Sequence, residues 1–258
     1  MSISLRVLTF NIRKGLGASG LQSQLVDLRD VIRQIDADVV FLQEVMGESR
    51  KAAHRKAGLA GDQLEYLADS VWTHFAYGKN AVHSDGHHGN AILSKYPIAR
   101  WENIDISTNP FEQRGLLHAL IEVPGHRLHV DLICLHLNLL GPGRTRQLKS
   151  LIQRVRAHIV DIGPLLIAGD FNDWSGAVSK RLQKELVVHE AALSLHGQHH
   201  RTFPAWLPLL PLDRIYFRGL ELLKVEVLEH KLRHLLSDHQ AIVAEFKLAR
   251  NDRPGTGG

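Results

Sequence analysis

The sequence predicts an α/β protein in which two β-sheets pack face to face, with helices outside. Three observations carry this. Apolar runs of strand character alternate with stretches of helical spacing. A strand–helix–strand unit runs from Asn11 to Glu44, a spacing of 33, and a second from Asn138 to Asp170, a spacing of 32. Each unit opens on a strand ending in a polar residue and closes on a buried strand ending in a carboxylate, "QEV" in one and "GDFN" in the other. Two similar halves build two sheets, and their strand ends converge on one rim.

The elements follow in order. Residues 5–12, "LRVLTFNI", read as a strand ending at Asn11. "LVDLRDVIRQI" has apolar residues at 25, 28, 31, 32 and 35, the spacing of a helix face. "ADVVFLQEV" is a short buried strand carrying Glu44, and residues 48–70 are expected to be helical with a polar, basic start. "GNAILSKYPI" gives a strand and a turn at Pro97; 115–123 and 127–137 are two more strands around the turn "PGH". Residues 144–160 form an amphipathic helix with Leu148, Leu151, Ile152, Val155 and Ile159 as its apolar stripe. "PLLIAGDFN", "LDRIYF" and "QAIVAEF" are later strands. No low-complexity linker interrupts the chain, so residues 1–249 are expected to form one domain, with a disordered tail at 250–258.

The bulk numbers narrow the class. The 258 residues suffice for a sizeable core. A net charge of +4 permits a phosphate-bearing partner without demanding one. The single cysteine, Cys134 in "LICLHL", excludes an intramolecular disulfide and reads as a buried, inert thiol, which favours a reducing compartment. The start "MSISLRVLTF" lacks a signal-peptide core, and no apolar stretch approaches the ~20 residues of a membrane span. A cytoplasmic protein without a transmembrane segment is expected, and no obligate protein partner is indicated.

The residues at the strand ends form a chemical set: Asn11, Glu44, His136, Asn138, Asp170, Asn172, Asp213, Asp238 and His239. One such residue alone is usually a cap or turn former. Six apolar segments with the same ending point instead to a rim where functional groups collect. Four carboxylates and three amides are hard oxygen donors, suited to Mg²⁺ or Mn²⁺ and not to zinc. "HxxxH" at 196–200 lacks the glutamate of a zinc-protease helix and reads as loop; "HSDGHHG" at 83–89 reads as a polar loop, with metal binding the alternative. Phosphate-loop, dinucleotide and "GxSxG" patterns are absent. Carboxylates, amides and two histidines around a hard cation describe phosphoester hydrolysis.

"TFNI", "FLQEV", "GNAILSKYPI", "HLN", "AGDFN", "LDRIYF" and "LSDHQAI" occur in the order seen in the endonuclease/exonuclease/phosphatase superfamily. The chain resembles these deoxyribonuclease-like metal-dependent phosphoesterases over about residues 5–246, and looks most like small bacterial members without an assigned substrate. The resemblance implies a four-layered α/β/β/α sandwich with two packed mixed β-sheets. It also implies roles. Glu44 would be the principal metal ligand, with Asn11 and Asp238 near the metal. Asp170 would orient or deprotonate the attacking water, and Asn172 would hold a phosphate oxygen. His239 would contact the scissile phosphate or act as acid or base, with Asp213 orienting it. His136 would be the second site histidine, and Asn138 a phosphate contact. Arg114 in "EQRGLL" matches a phosphate-binding position, the alternative being a surface ion pair. Asp173 is expected to be a turn or cap residue. Two departures turn the reading away from abasic-site repair: Arg13 stands where an acidic residue follows the first asparagine in the apurinic endonucleases, and His136 stands where they have tyrosine.

The expected activity is therefore Mg²⁺- or Mn²⁺-dependent hydrolysis of a phosphodiester, in nucleic acid by the first reading. The basic run "RKAAHRK" and the basic residues of the 144–156 helix face are compatible with it. The alternative is a phospholipid or inositol-phosphate hydrolase, because "FPAWLPLLPL", residues 203–212, leads an apolar segment straight into Asp213; the other reading of this segment is a loop that packs on the sheet and closes the core. The remote alternative is a non-catalytic phosphate-binding module.

Overall fold

The computed structural model describes residues 3–13, 21–49, 63–83, 86–124, 128–161, 163–228 and 236–248. The chain runs β1 (Ile3–Asn11), α1 (Leu21–Ile35), β2 (Val39–Ser49), α2 (Gln63–Ala68), β3 (His74–His83), β4 (Gly86–Ser94), β5 (Ile98–Asp105), β6 (Gly115–Val123), β7 (Leu128–His136) and α3 (Gly141–His158). It continues through β8 (Leu165–Asp170), α4 (Ala177–Leu186), β9 (His189–Glu190), α5 (Ala191–His196), β10 (Asp213–Arg218), β11 (Glu221–Val227) and β12 (Ile242–Leu248).

The repeat expected from the sequence becomes two sheets of the same design. One has the order β11-β12-β1-β2-β4-β3 and the other β5-β6-β7-β8-β10-β9. In each, a single parallel pair sits at the centre, β1 with β2 and β7 with β8. Both pairs are closed by a helical crossover, as parallel strands require. The flanking pairs are antiparallel, so both sheets are mixed.

Three apolar layers hold the four-layered sandwich together. Phe41, Leu117, Leu132, Leu166 and Phe246 fill the space between the sheets. Leu25, Leu28 and Ile32 of α1 pack with Phe10, Leu42 and Trp72 on one outer face. The predicted stripe of α3 packs with Ile133, Ile167 and Tyr216 on the other. Cys134 is buried, as expected, and burial pushes its thiol up to about 12.

Three readings need correction. The expected helix over 48–70 is in part a strand, because β2 continues through Ser49 to pair with Gly86, and the described helix there is only Gln63–Ala68. Residues 50–62, including "RKAAHRK", lie outside the described residues, as does the tail 250–258. "HSDGHHG" is not all loop: His83 pairs with Gly86 and Gly86–Gly89 belong to β4, because the β3–β4 ladder recruits this polar stretch. The strands β3, β5, β9 and β11 carry no clear apolar alternation and escape a reading based on it; all four are the outer or edge members of their sheets.

Asp173 is a turn residue, one of the two roles expected, its Oδ1 accepting from the Ser175 amide, and it is also half of an ion pair. Its carboxylate accepts from the Val178 backbone in the first turn of α4 and from Arg214 Nη1 at 3.1 Å, with both side chains almost wholly buried. Removing one partner strands the other charge in the interior. Arg214→Ala is therefore expected to destabilise the fold by about 3–5 kcal/mol. Urea unfolding checks this, and a loss no larger than about 1 kcal/mol would place the pair with weak surface bridges.

Candidate active site

One row of the second sheet assembles the centre. His136 on β7 pairs with Asp170 on β8, and Asp170 pairs with Asp213 on β10. Side chains at paired positions share a face, so two carboxylates and an imidazole stand side by side at the strand ends. The β8 backbone reaches this point only because residue 169 is glycine. Gly169 has φ +144°, and a Cβ there would sit 1.9 Å from the Leu135 carbonyl oxygen. Asn172 follows in the left-handed region at φ 49°. Its amide N–H donates to Asp170 Oδ1 at 2.9 Å, and its side chain donates to the Leu137 carbonyl.

The first sheet brings Asn11 and Glu44 to the same place. Asn11 Nδ2 donates to Asp170 Oδ2 at 3.1 Å, a contact between sheets. Glu44 lies at an irregularity in β2 between Leu42 and Val45, with φ 57°. Its neighbours Gln43 and Val45 are fully buried, whereas the Glu44 side chain is 22% exposed. A non-glycine residue held at such a φ costs about 1–3 kcal/mol, and strain of this kind gathers at working sites. Glu44 Oε1 lies 3.9 Å from His136 Nδ1, and His136 Nε2 lies 3.4 Å from Asp170 Oδ2.

His239 completes the centre. Its Nδ1 donates to Asp213 Oδ2 at 2.8 Å, and its Nε2 lies 3.8 Å from Asp170 Oδ2. Burial alone would lower the His239 pKa. The Asp213 carboxylate outweighs this by charge and hydrogen bond, Asp170 and Asp238 add to it, and the imidazole is carried up to about 10. Asp170 is carried up to about 7, mainly by burial, with His239 opposing and Asp213 assisting. The pair therefore combines a cationic imidazole with a carboxyl poised near neutrality. Thr202, not anticipated from the sequence, donates its hydroxyl to Asp213 Oδ2 at 2.6 Å. Ser237 is likewise new: it ties the Asn11 carbonyl to the His239 amide.

The remaining candidates are placed less uniformly. Asp238 is at the edge of the group and pairs with Arg13 at 3.3 Å. Arg114 lies 3.7 Å from Glu112 and also lines a cavity of about 340 Å³ with Glu44, His88 and Phe111. Asn138 is committed to the framework: Gln147 donates to its Oδ1 at 2.7 Å, and its Nδ2 donates to Thr108 at 3.0 Å. Both its amide atoms thus already carry a bond within the protein. The basic residues of the 144–156 face are largely engaged. Arg144 binds backbone carbonyls of Leu139 and Asn172, Arg154 pairs with Glu102, and Arg156 pairs with Glu185.

The family model for the Endonuclease/Exonuclease/phosphatase family matches residues 8–239. The chain belongs to this family. It is 42% identical over 248 residues to the uncharacterized protein YbhP of Escherichia coli K12, covering 95% of this chain and 97% of YbhP. Among solved structures, a family member from Beutenbergia cavernae superposes with TM-score 0.77 at 20% identity, covering 95% of this chain and 72% of the other. A humanized D. rerio TDP2 superposes with TM-score 0.73 at 22% identity, covering 94% and 98%. At these identities the structural likeness establishes the family's sandwich. The family consists in general of hydrolases of phosphoester bonds.

The raised His239 pKa has a direct readout. An imidazole titrating near 10 folded, against about 6.5 unfolded, contributes stability in full below about 6.5 and loses it as pH rises toward 10. In chelator, histidine NMR should show His239 protonated well above neutrality, and Asp213→Asn should lower its midpoint markedly. An unchanged midpoint in that variant would show that the dyad does not set the charge.

Proposed function

We propose that this protein is a Mg²⁺- or Mn²⁺-dependent hydrolase that cleaves a phosphodiester by attack of water. The observation that carries the reading is the buried group of Asp170, His239 and Asp213 set beside a strained, accessible Glu44. The donor set of Glu44, Asn11 and Asp238 fits a hard cation: each offers oxygen, and the Glu44 and Asp238 carboxylates are both partly exposed, Glu44 at an irregularity of β2. Glu44, with Asn11 and Asp238, would hold the ion. When bound, the ion supplies positive charge to a phosphoryl oxygen. A cation between His239 and Asp213 is disfavoured, since it would break their 2.8 Å hydrogen bond.

The side chains account for the rest. Asp170 orients the water and takes its proton, a task matched to a carboxyl near neutrality. His239 Nε2–H faces the substrate as a charged donor to a phosphate oxygen, while Asp213 fixes its Nδ1. Asn172 holds Asp170 in place and lies at the phosphate. His136 is the second donor, and Arg114 offers a guanidinium from the cavity wall. Asn138 supports this framework and is a further phosphate contact through the second N–H of its amide.

Two substrates fit a diester site. Nucleic acid is favoured by the net charge of +4 and by D. rerio TDP2, a structural neighbour that has been solved with a single-strand DNA product. Phospholipid is favoured by the exposed Trp206, Leu207 and Leu209, which flank the approach to Asp213. The engagement of Arg144, Arg154 and Arg156 within the protein weakens the case for nucleic acid.

Hydrolysis of bis-nitrophenyl phosphate should require Mg²⁺ or Mn²⁺ and cease in EDTA. Asp170→Ala and His239→Ala should each lower kcat by at least ~10²-fold, the range for losing an acid–base group. Glu44→Gln should first raise the cation concentration needed. Full turnover in EDTA, or intact turnover in both alanine variants, would overturn the assignment.

A further inference from the structure

The rim around the site gathers exposed apolar side chains. Seven of the thirteen exposed large hydrophobic residues among those described lie on its loops. Phe111 stands between β5 and β6, Leu139 and Leu140 between β7 and α3, and Trp174 after β8. Trp206, Leu207 and Leu209 stand ahead of β10. Phe111 is 93% exposed, Trp206 72% and Leu140 69%. Single exposed apolar residues are ordinary on a protein surface, whereas a concentration around one opening marks an interaction surface.

These loops are fastened, so their tips are presented and not folded away. The Asn138–Thr108 bond joins two of them. Arg144 binds the Asn172 carbonyl at 2.6 Å and lies over the Trp174 ring at 5.4 Å. The Ala205 amide donates to the Asp238 carbonyl at 2.7 Å, and the Phe203 ring packs on His239. The apolar collar is therefore built onto the active site.

The side-chain types select the occupant. Single-stranded nucleic acid is gripped by aromatic platforms in a basic groove, and leucine offers no face for stacking. Tryptophan, phenylalanine and leucine at protruding tips, with basic residues beside them, suit the interface of an anionic bilayer. Arg146 and Lys149 are exposed near the start of α3, Arg201 is exposed ahead of the 203–212 segment, and the Arg13 side chain is 56% exposed. The net charge of +4 has the matching sign. Among the described residues no helix is long and apolar enough to cross a membrane, so attachment by these helices would be peripheral.

We propose that this collar docks on an anionic membrane surface and presents the site to the phosphodiester of a bilayer lipid. The docking stands on the collar alone; the lipid substrate rests on the phosphodiesterase reading above. The test is co-sedimentation of the full chain with phosphatidylcholine vesicles, with and without phosphatidylglycerol. Hydrolysis of vesicle lipid and of bis-nitrophenyl phosphate is measured alongside. The protein should sediment with the anionic vesicles. Trp206→Ser with Leu207→Ser should weaken that binding about tenfold or more, and Leu139→Ser with Leu140→Ser should do so from an independent loop. Neither pair should slow the small diester, and a pair that fails to fold leaves the other to decide. Wild-type protein that stays in the supernatant overturns the docking, as does unchanged binding in the folded pairs. Loss of single-stranded DNA affinity, or of self-association, in place of vesicle binding assigns the collar to those partners and also overturns it. Vesicle binding that responds as stated, with no diester hydrolysed at all, leaves the docking and removes the phosphodiesterase reading.

Discussion

The active centre depends on the register of one ladder. His136, Asp170 and Asp213 come from three strands separated in sequence, and only the β7–β8–β10 pairing places them in one row. A slip of one residue on any of these strands would turn its polar residue to the opposite face. The row is costly by itself, since adjacent buried carboxylates repel and lose water. His239, arriving from the loop before β12, offsets that cost with its charge and its hydrogen bond to Asp213. His239 thus supplies the electrostatic compensation for the carboxylate row at the strand ends.

The register is enforced by the parts of the fold that the sequence shows most clearly. β1, β2, β7, β8, β10 and β12 are apolar runs, and they form the two sheet centres. The α1 and α3 stripes have helical period because each covers one outer face. The edge strands lack such a signal. β5, "IARWENID", is mostly exposed, and β11 is half-exposed, so their conformation comes from pairing with a neighbour and not from burial. The same reason explains the histidine-rich stretch at the start of β4: strand pairing overrides its polar composition.

The gathering of polar residues into a candidate site was legible where each sits at the end of an apolar run, as at Asn11, Glu44, Asp170 and Asp213. It was not legible where a residue acts through a distant partner. Thr202 holds Asp213 from 11 residues away, and Ser237 bonds to Asn11 across 226 residues. Arg214 follows Asp213 directly, yet its partner Asp173 lies 41 residues earlier. Charge was misleading for a related reason. Arg144, Arg154 and Arg156 are compatible with a phosphate-attracting helix face in the sequence, but they satisfy carbonyls and carboxylates within the protein.

The rim that carries the candidate site also carries half of the strained backbone positions among the described residues. Six described non-glycine residues have positive φ, and Arg13, Glu44 and Asn172 among them surround the site. Buried carboxylates and exposed tryptophan and leucine lie in the same region. Each of these features lowers stability relative to a relaxed, polar rim. Three continuous apolar layers tolerate that cost because they lie beneath the strand ends and are complete without them. The division lets loops at the rim change their chemistry while the ladder that aligns Asp170 with Asp213 stays fixed. On the function proposed above, substrate choice would reside in the collar of loops and bond cleavage in the ladder.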